Sequence, residues 1–200
     1  MKELKLDLGC GEILQEGYVG LDIKPIKGVK HVVDLDYGGK IPYPDQSVDE
    51  IFTTQFIEHL VDVESLMLEM IRVLKKGGKL FIKVPFYGSF IAHEPSHKSF
   101  FSPFSFNFYT KGRSVYRLSP TYLEEVIKPK MTFEYFLDWK DKLFLPFQWF
   151  ANTFQKPYLF CLGFVIPASY IEFNYKRVVD ESHISQETKD WFEKEEWRKK

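Results

Sequence analysis

Asp22, Asp34 and Asp36, followed much later by His93 and His97, are the side chains in this sequence whose types and spacing suit chemistry. Each of the three acids closes a short apolar run, which places its carboxylate at a strand end, within reach of the hydroxyls of a sugar or the edge of a base. A single acid at a strand end is commonly only a turn former. Their order is more informative. Upstream of them, the alternating stretch Leu4 to Leu8 runs into Gly9, Cys10 and Gly11, a turn whose backbone a ligand can approach closely. Ligands of open parallel sheets lie across the carboxyl ends of the strands. The glycine turn, Asp22 and the Asp34/Asp36 pair therefore describe one nucleotide-like ligand, with its ribose at Asp22 and its base near Asp34 to Asp36.

His93 and His97 belong to the segment FYGSFIAHEPSHKSFFSPFSFNFYT, residues 86–110. A histidine titrates near neutrality and can take the proton of a hydroxyl or amine, so either is a candidate general base; the bland alternative is a hydrogen bond within the loop. His93, Glu94 and His97 also spell HExxH. That zinc-protease pattern needs both histidines on one face of a continuous helix, and Pro95 interrupts it with no third ligand at a suitable distance. No metal site is expected. His59 beside Glu58 is a second pair, read as positional.

The elements that must place these residues alternate strand, turn and helix from Leu4 to Pro85, the pattern of a parallel sheet with crossovers. Strands are expected at Leu4 to Leu8, Val19 to Ile23, His31 to Leu35, Val48 to Thr54 and Lys79 to Pro85. Between the last two, Asp62 can cap a helix whose apolar face is Val63, Leu66, Met67, Met70, Ile71 and Leu74, ended by Lys75, Lys76 and Gly77. Residues 12–21 are too few for a full crossover helix with its turns, so the first connection is expected to be a turn or short coil. The Gly38 and Gly39 pair suggests an enlarged loop beside the base.

Two hundred residues suit one domain, and the net charge of -1 provides no global field to recruit nucleic acid or membrane. Two cysteines far apart, Cys10 and Cys161, with no signal peptide, predict a cytoplasmic, reduced protein.

The motifs in succession resemble those of class I S-adenosylmethionine-dependent methyltransferases: LDLGCGE, LDI at Leu21 to Ile23, IPYPDQSVDEIF at Ile41 to Phe52, IEHL at Ile57 to Leu60 and RVLKKGGKLFIKVP at Arg72 to Pro85. The resemblance covers the first 85 residues. It implies a Rossmann-like α/β fold, a seven-stranded, mostly parallel sheet with an antiparallel last strand, and S-adenosyl-L-methionine as cofactor. It also implies that Gly9 and Gly11, with Cys10 between them, make room for the methionine moiety and that Asp7 lies near its amino group. Asp22, with Ile23, would hold the ribose; Asp34, Leu35 and Asp36 would flank the adenine, and Gln55 would line the methyl-donor pocket. A dinucleotide-binding protein is disfavoured because the third glycine of GxGxxG would be residue 14, here Leu14.

Past the cofactor-binding half, 1–85, residues 86–130 are assigned to a substrate loop and helices. Lys98, Lys111, Arg113 and Arg117 interleave with aromatics there, a mix that can hold a stacked nucleic acid strand, but four charges bind only modestly and no nucleic acid partner is expected. Ser119 and Pro120 should start a helix with Tyr122, Leu123, Val126 and Ile127 inward. Met131 to Trp139 and Ser169 to Val179 read as the closing strands. Between them lies an aromatic insertion, residues 143–168. From Leu143 to Ile171 Lys156 is the only charge, and Pro146, Pro157 and Pro167 exclude a membrane span. This stretch is expected to roof the site, form a homodimer through 143–171, make peripheral membrane contact, or cap its own chain. The charged tail, 187–200, reads as a solvated helix. The function expected is methyl transfer to a hydroxyl or amine of a small-molecule or glycan acceptor. The alternatives are an RNA methyltransferase and a non-catalytic cofactor-binding protein acting through the insertion.

Overall fold

In the computed structural model, which describes residues 3–111, 121–134 and 139–180, seven strands form one sheet. They are β1 (Lys5–Leu8), β2 (Val19–Asp22), β3 (Val29–Val32), β4 (Val48–Thr54), β5 (Leu74–Pro85), β6 (Thr121–Thr132) and β7 (Tyr170–Val179). The order is β3-β2-β1-β4-β5-β7-β6, with β1 to β5 parallel and β7 antiparallel to both its neighbours. The expected mostly parallel sheet with an antiparallel last strand is thus present. Its order reverses at β1/β4, and in such sheets the crevice at the reversal is where a ligand enters.

Helix α1 (Val63–Val73) forms as its pattern dictates: Asp62 accepts a hydrogen bond from the Ser65 N–H at 3.0 Å, and Leu66, Met67, Met70 and Val73 are fully buried on the sheet. The connections on the other side of β4 carry no helix. Residues 9–18, 23–28 and 33–47 are turns and extended chain. The first of these fits the expectation of a missing helix. The second is shorter still, yet six residues reach roughly 20 Å, enough to return along strands of about 13 Å.

Four expectations change. The third strand spans Val29–Val32 rather than His31 to Leu35, because the chain turns where the Asp34 carboxylate accepts the Asp36 N–H at 2.9 Å. The fifth begins at Leu74, directly after α1, with a register shift between its pairings at Leu74 and Lys79. The helix expected after Pro120 is instead the edge strand β6: Tyr122 and Leu123 are buried, while Val126 and Ile127 are exposed. The long ladder to β7 overrides the helical spacing, and Pro129, which has no N–H to donate, falls in a register shift between Ile127 and Lys130. The strand expected from Met131 ends with β6 at Thr132. Arg113, Arg117, Ser119, Pro120 and the tail 187–200 lie outside the described residues.

The insertion folds against that edge. It contains α2 (Leu145–Thr153) and α3 (Gln155–Cys161). Asn152 pairs with both backbone groups of Met131, accepting its N–H at 2.7 Å and donating to its carbonyl at 2.9 Å, and Gln155 donates to the Pro129 carbonyl at 2.6 Å. Tyr158 is fully buried between the rings of Phe86 and Phe133. These contacts cover backbone that an edge strand would otherwise offer to another chain. Among the described residues no helix is long and apolar enough to cross a membrane.

Candidate active site

The glycine turn follows β1 as the sequence requires. Gly9 and Gly11 have φ of 66° and 52°, the left-handed region that glycine enters without strain, and a Cβ on Gly9 would fall inside the ring of Phe56. Gly11 N–H donates to one oxygen of Asp22 and Lys24 N–H to the other, both at 2.9 Å, so the carboxylate is fixed at the turn with a lone pair on each oxygen still open to a sugar hydroxyl. Asp7, 3% exposed, accepts the Gln15 N–H at 2.8 Å; burial pushes its carboxyl up, against that bond. Burial also raises the Cys10 thiol. Ile23 is exposed beside Asp22, and Leu35 is buried.

Asp34 and Asp36 differ from each other. Asp34 is exposed. Asp36 accepts N–H groups from Tyr37, Val61 and Asp62 at 2.9–3.1 Å, with Lys98 Nζ 3.8 Å away. Burial alone would raise its carboxyl; those donors outweigh it and hold the group below the usual carboxylate range. Asp36 therefore fastens the loop after β3 to the start of α1.

Gln55 follows β4 with φ 49°, a conformation a non-glycine residue holds only when its surroundings impose it; its N–H donates to the Lys83 carbonyl at 2.9 Å. Beyond it, the Phe56 ring covers Gly9, so the segment 55–59 runs beside the glycine turn. The loop after β5 closes onto this segment. Lys98 and Ser99 N–H groups both donate to the Glu58 carbonyl, at 2.7 and 3.1 Å, and Ser99 Oγ donates to the Leu60 carbonyl at 2.9 Å.

That clamp brings His97 to His59, their rings 4.8 Å apart, and both to Glu58. His93 is not part of the group: it is exposed, with its ring against Phe100. Glu58 is 1% exposed, neither of its oxygens has a hydrogen-bond partner among the described residues, and burial, with a smaller push from Glu94, raises its carboxyl to about 7. Tyr170 stands near the same acids; burial, then Glu134, Glu58 and Glu94, raise its hydroxyl. Lys83 pairs with Glu134 at 2.9 Å. The sequence pointed to Glu58 only as a neighbour of His59, and to Tyr170 and Glu134 not at all. The signal available was the IEHL motif one turn past a strand end. A separate cavity of about 400 Å³, lined by Asn107, Lys111, Tyr122 and Glu124 among others, opens at the opposite, amino end of the strands.

Residues 6–82 match the family described as "Methyltransferase domain". A probable S-adenosylmethionine-dependent methyltransferase of Mycolicibacterium smegmatis is 35% identical over 100 residues, 40% of this chain; the match spans 37% of that relative's length. Among solved structures, a chain of the Haloferax volcanii Trm112 methyltransferase-activator complex aligns with TM-score 0.55 at 15% identity, over 90% of this chain and 83% of its own. An S-adenosylmethionine-dependent methyltransferase from Archaeoglobus fulgidus aligns with TM-score 0.51 at 18% identity, over 87% and 86%. Haemonchus contortus phosphoethanolamine N-methyltransferase 1, solved with phosphoethanolamine and S-adenosylhomocysteine, aligns with TM-score 0.53 at 12% identity, over all of this chain and 46% of its own. These likenesses show a common fold. With the sheet order, the glycine turn and the matched motifs, residues 6–82 match a methyltransferase domain of the class I S-adenosylmethionine-dependent type, for which S-adenosyl-L-methionine is the cofactor.

Proposed function

We propose that this protein transfers a methyl group from S-adenosyl-L-methionine to a hydroxyl of a small-molecule or glycan-type acceptor. The observation that carries the reading is the meeting of Glu58, His59 and His97 beyond the carboxyl end of β4, beside the glycine turn. Methyl transfer is an in-line displacement at a sulfonium carbon, so the protein has chiefly to align donor and acceptor and dispose of the acceptor's proton. Gly9, Gly11 and Asp22 serve the donor. The buried Glu58 and the ring of His97 serve the acceptor, with Tyr170 at its edge.

The test is calorimetry with S-adenosyl-L-methionine alongside methyl release on panels of hydroxyl, amine and RNA acceptors. Glu58→Gln and His97→Ala should each lower turnover by about 100-fold while donor affinity stays within about twofold. Turnover that survives both substitutions refutes the acceptor site, and binding without turnover on any acceptor favours a non-catalytic protein.

A second observation bears on how the acceptor is delivered. The insertion leaves Leu145, Trp149, Phe160, Phe164 and Val165 exposed, and Phe164 touches Tyr87 just past β5. An acceptor carried on a lipid at a bilayer surface fits such a face. Vesicle co-sedimentation supports that reading, whereas a dimer by light scattering with no vesicle binding assigns the face to a second copy.

A further inference from the structure

We propose that Glu58, His59 and His97 hold a divalent first-row metal cation with a coordination position open to the acceptor's oxygen. One ligating atom from each residue lies within 4.8 Å of the others. Bonds of roughly 2.0–2.2 Å would set these atoms about 3–4 Å apart. Side-chain rotations of about 1 Å therefore close the site.

Three features of the cluster point to a cation. Glu58 is 1% exposed, and neither carboxylate oxygen has a partner among the described residues; a charge so placed is costly unless something neutralises it. The histidines have no such need of each other. His59 Nδ1 lies 3.2 Å from the Ser96 carbonyl and His97 Nδ1 lies 3.3 Å from the Ala92 carbonyl. A carbonyl only accepts, so each Nδ1 carries a proton and each ring is left with Nε2 to offer. Metal-bound histidines are commonly fixed in this way, one nitrogen tied to a carbonyl and the other to the ion. Finally, the rim is acidic: Glu94 Oε2 is 3.9 Å from His97 Nε2, and its exposed carboxylate can swing toward the ion.

The donor set selects the metal. Two imidazoles and one carboxylate suit manganese, iron, cobalt or zinc better than calcium or magnesium, which favour all-oxygen shells. The site arises because the 97–99 clamp brings His97 to the adjacent pair Glu58 and His59 from far along the sequence, and it differs from the HExxH reading, which required His93. Its role rests on the methyl-transfer reading. The acceptor hydroxyl, bound to the ion, loses its proton to water; its oxygen forms a bond to the methyl carbon as the carbon–sulfur bond breaks, and the sulfonium becomes a neutral thioether.

The experiment titrates the metal-stripped protein with Co²⁺, read by visible absorption, and with Mn²⁺ and Zn²⁺ by calorimetry. A single bound ion per chain with a histidine-type cobalt spectrum is expected. Glu58→Gln, His59→Gln and His97→Gln should each weaken binding by at least about tenfold, with thermal melting and S-adenosyl-L-methionine affinity retained. Absence of a cobalt spectrum in the native chain, or unchanged affinity in folded variants, overturns the inference. Methylation of a hydroxyl acceptor that persists in excess chelator removes the metal's role and leaves the methyl-transfer reading standing; metal binding with no methyl transfer on any acceptor does the reverse.

Discussion

Two sets of carboxylates stand at the carboxyl ends of the strands, and they are treated differently. On the donor side Asp7 and Asp22 are spoken for by backbone N–H groups of the turns that follow their strands, and Asp36 by those of Val61 and Asp62 at the start of α1. On the proposed acceptor side Glu58 is more deeply buried than any of them and, among the described residues, has no partner for either oxygen. The satisfied acids hold a helix-poor scaffold in shape, replacing the crossover helices that would otherwise brace β1 to β3. The unsatisfied one is a cost to folding, which the cation proposed above would relieve. A useful contrast sits behind them in α1, where Glu69, 4% exposed, binds Arg72 at 2.6 Å and the Ile41 N–H at 2.9 Å.

The sharpest way to break this contrast is to push Glu69 toward the predicament of Glu58. Arg72→Ala leaves the buried Glu69 charge with only the Ile41 N–H and the exposed Lys40 ammonium and should cost about 3–5 kcal/mol, measured by urea unfolding. The same pair sets an acid limit. Burial would raise the Glu69 carboxyl, but Arg72 more than compensates, and Asp36 is likewise lowered by its backbone donors. Groups lowered in the folded state contribute fully above the ordinary carboxylate pKa, so stability should fall as pH drops below about 4, in a denaturation series at fixed salt.

Next in size is the donor side itself. Gly9→Ala forces a side chain into a left-handed turn and into the Phe56 ring, costing about 2–4 kcal/mol. Donor affinity should fall at least about tenfold by calorimetry. Glu58→Met runs the other way: it should stabilise the metal-stripped chain by about 1–3 kcal/mol in thermal melts while abolishing turnover. A destabilised Glu58→Met would mean that the carboxylate is structural after all. The smallest effect belongs to the insertion. Phe160, 88% exposed, can become Ser with stability unchanged to within about 0.5 kcal/mol, and only vesicle or self-association should respond.

The sequence by itself determined the first 85 residues to a useful depth. Alternation set β1, β2 and β4, the Asp62 cap and its apolar stripe set α1, and the spacing from Gly11 to Asp22 left no room for a first helix. These are local features, fixed by period, capping and chain length. Only the tertiary structure decided the rest. Tyr122 to Ile127 carry a helical spacing and still form a strand, because pairing with β7, about fifty residues away, outweighs a local preference. His97 could not be told from His93 on a string of letters; the Lys98 and Ser99 hydrogen bonds to Glu58 select it. Whether a carboxylate is satisfied depends on which distant backbone groups fold against it, and so Glu58 becomes distinguishable from Asp36 only once the chain is folded.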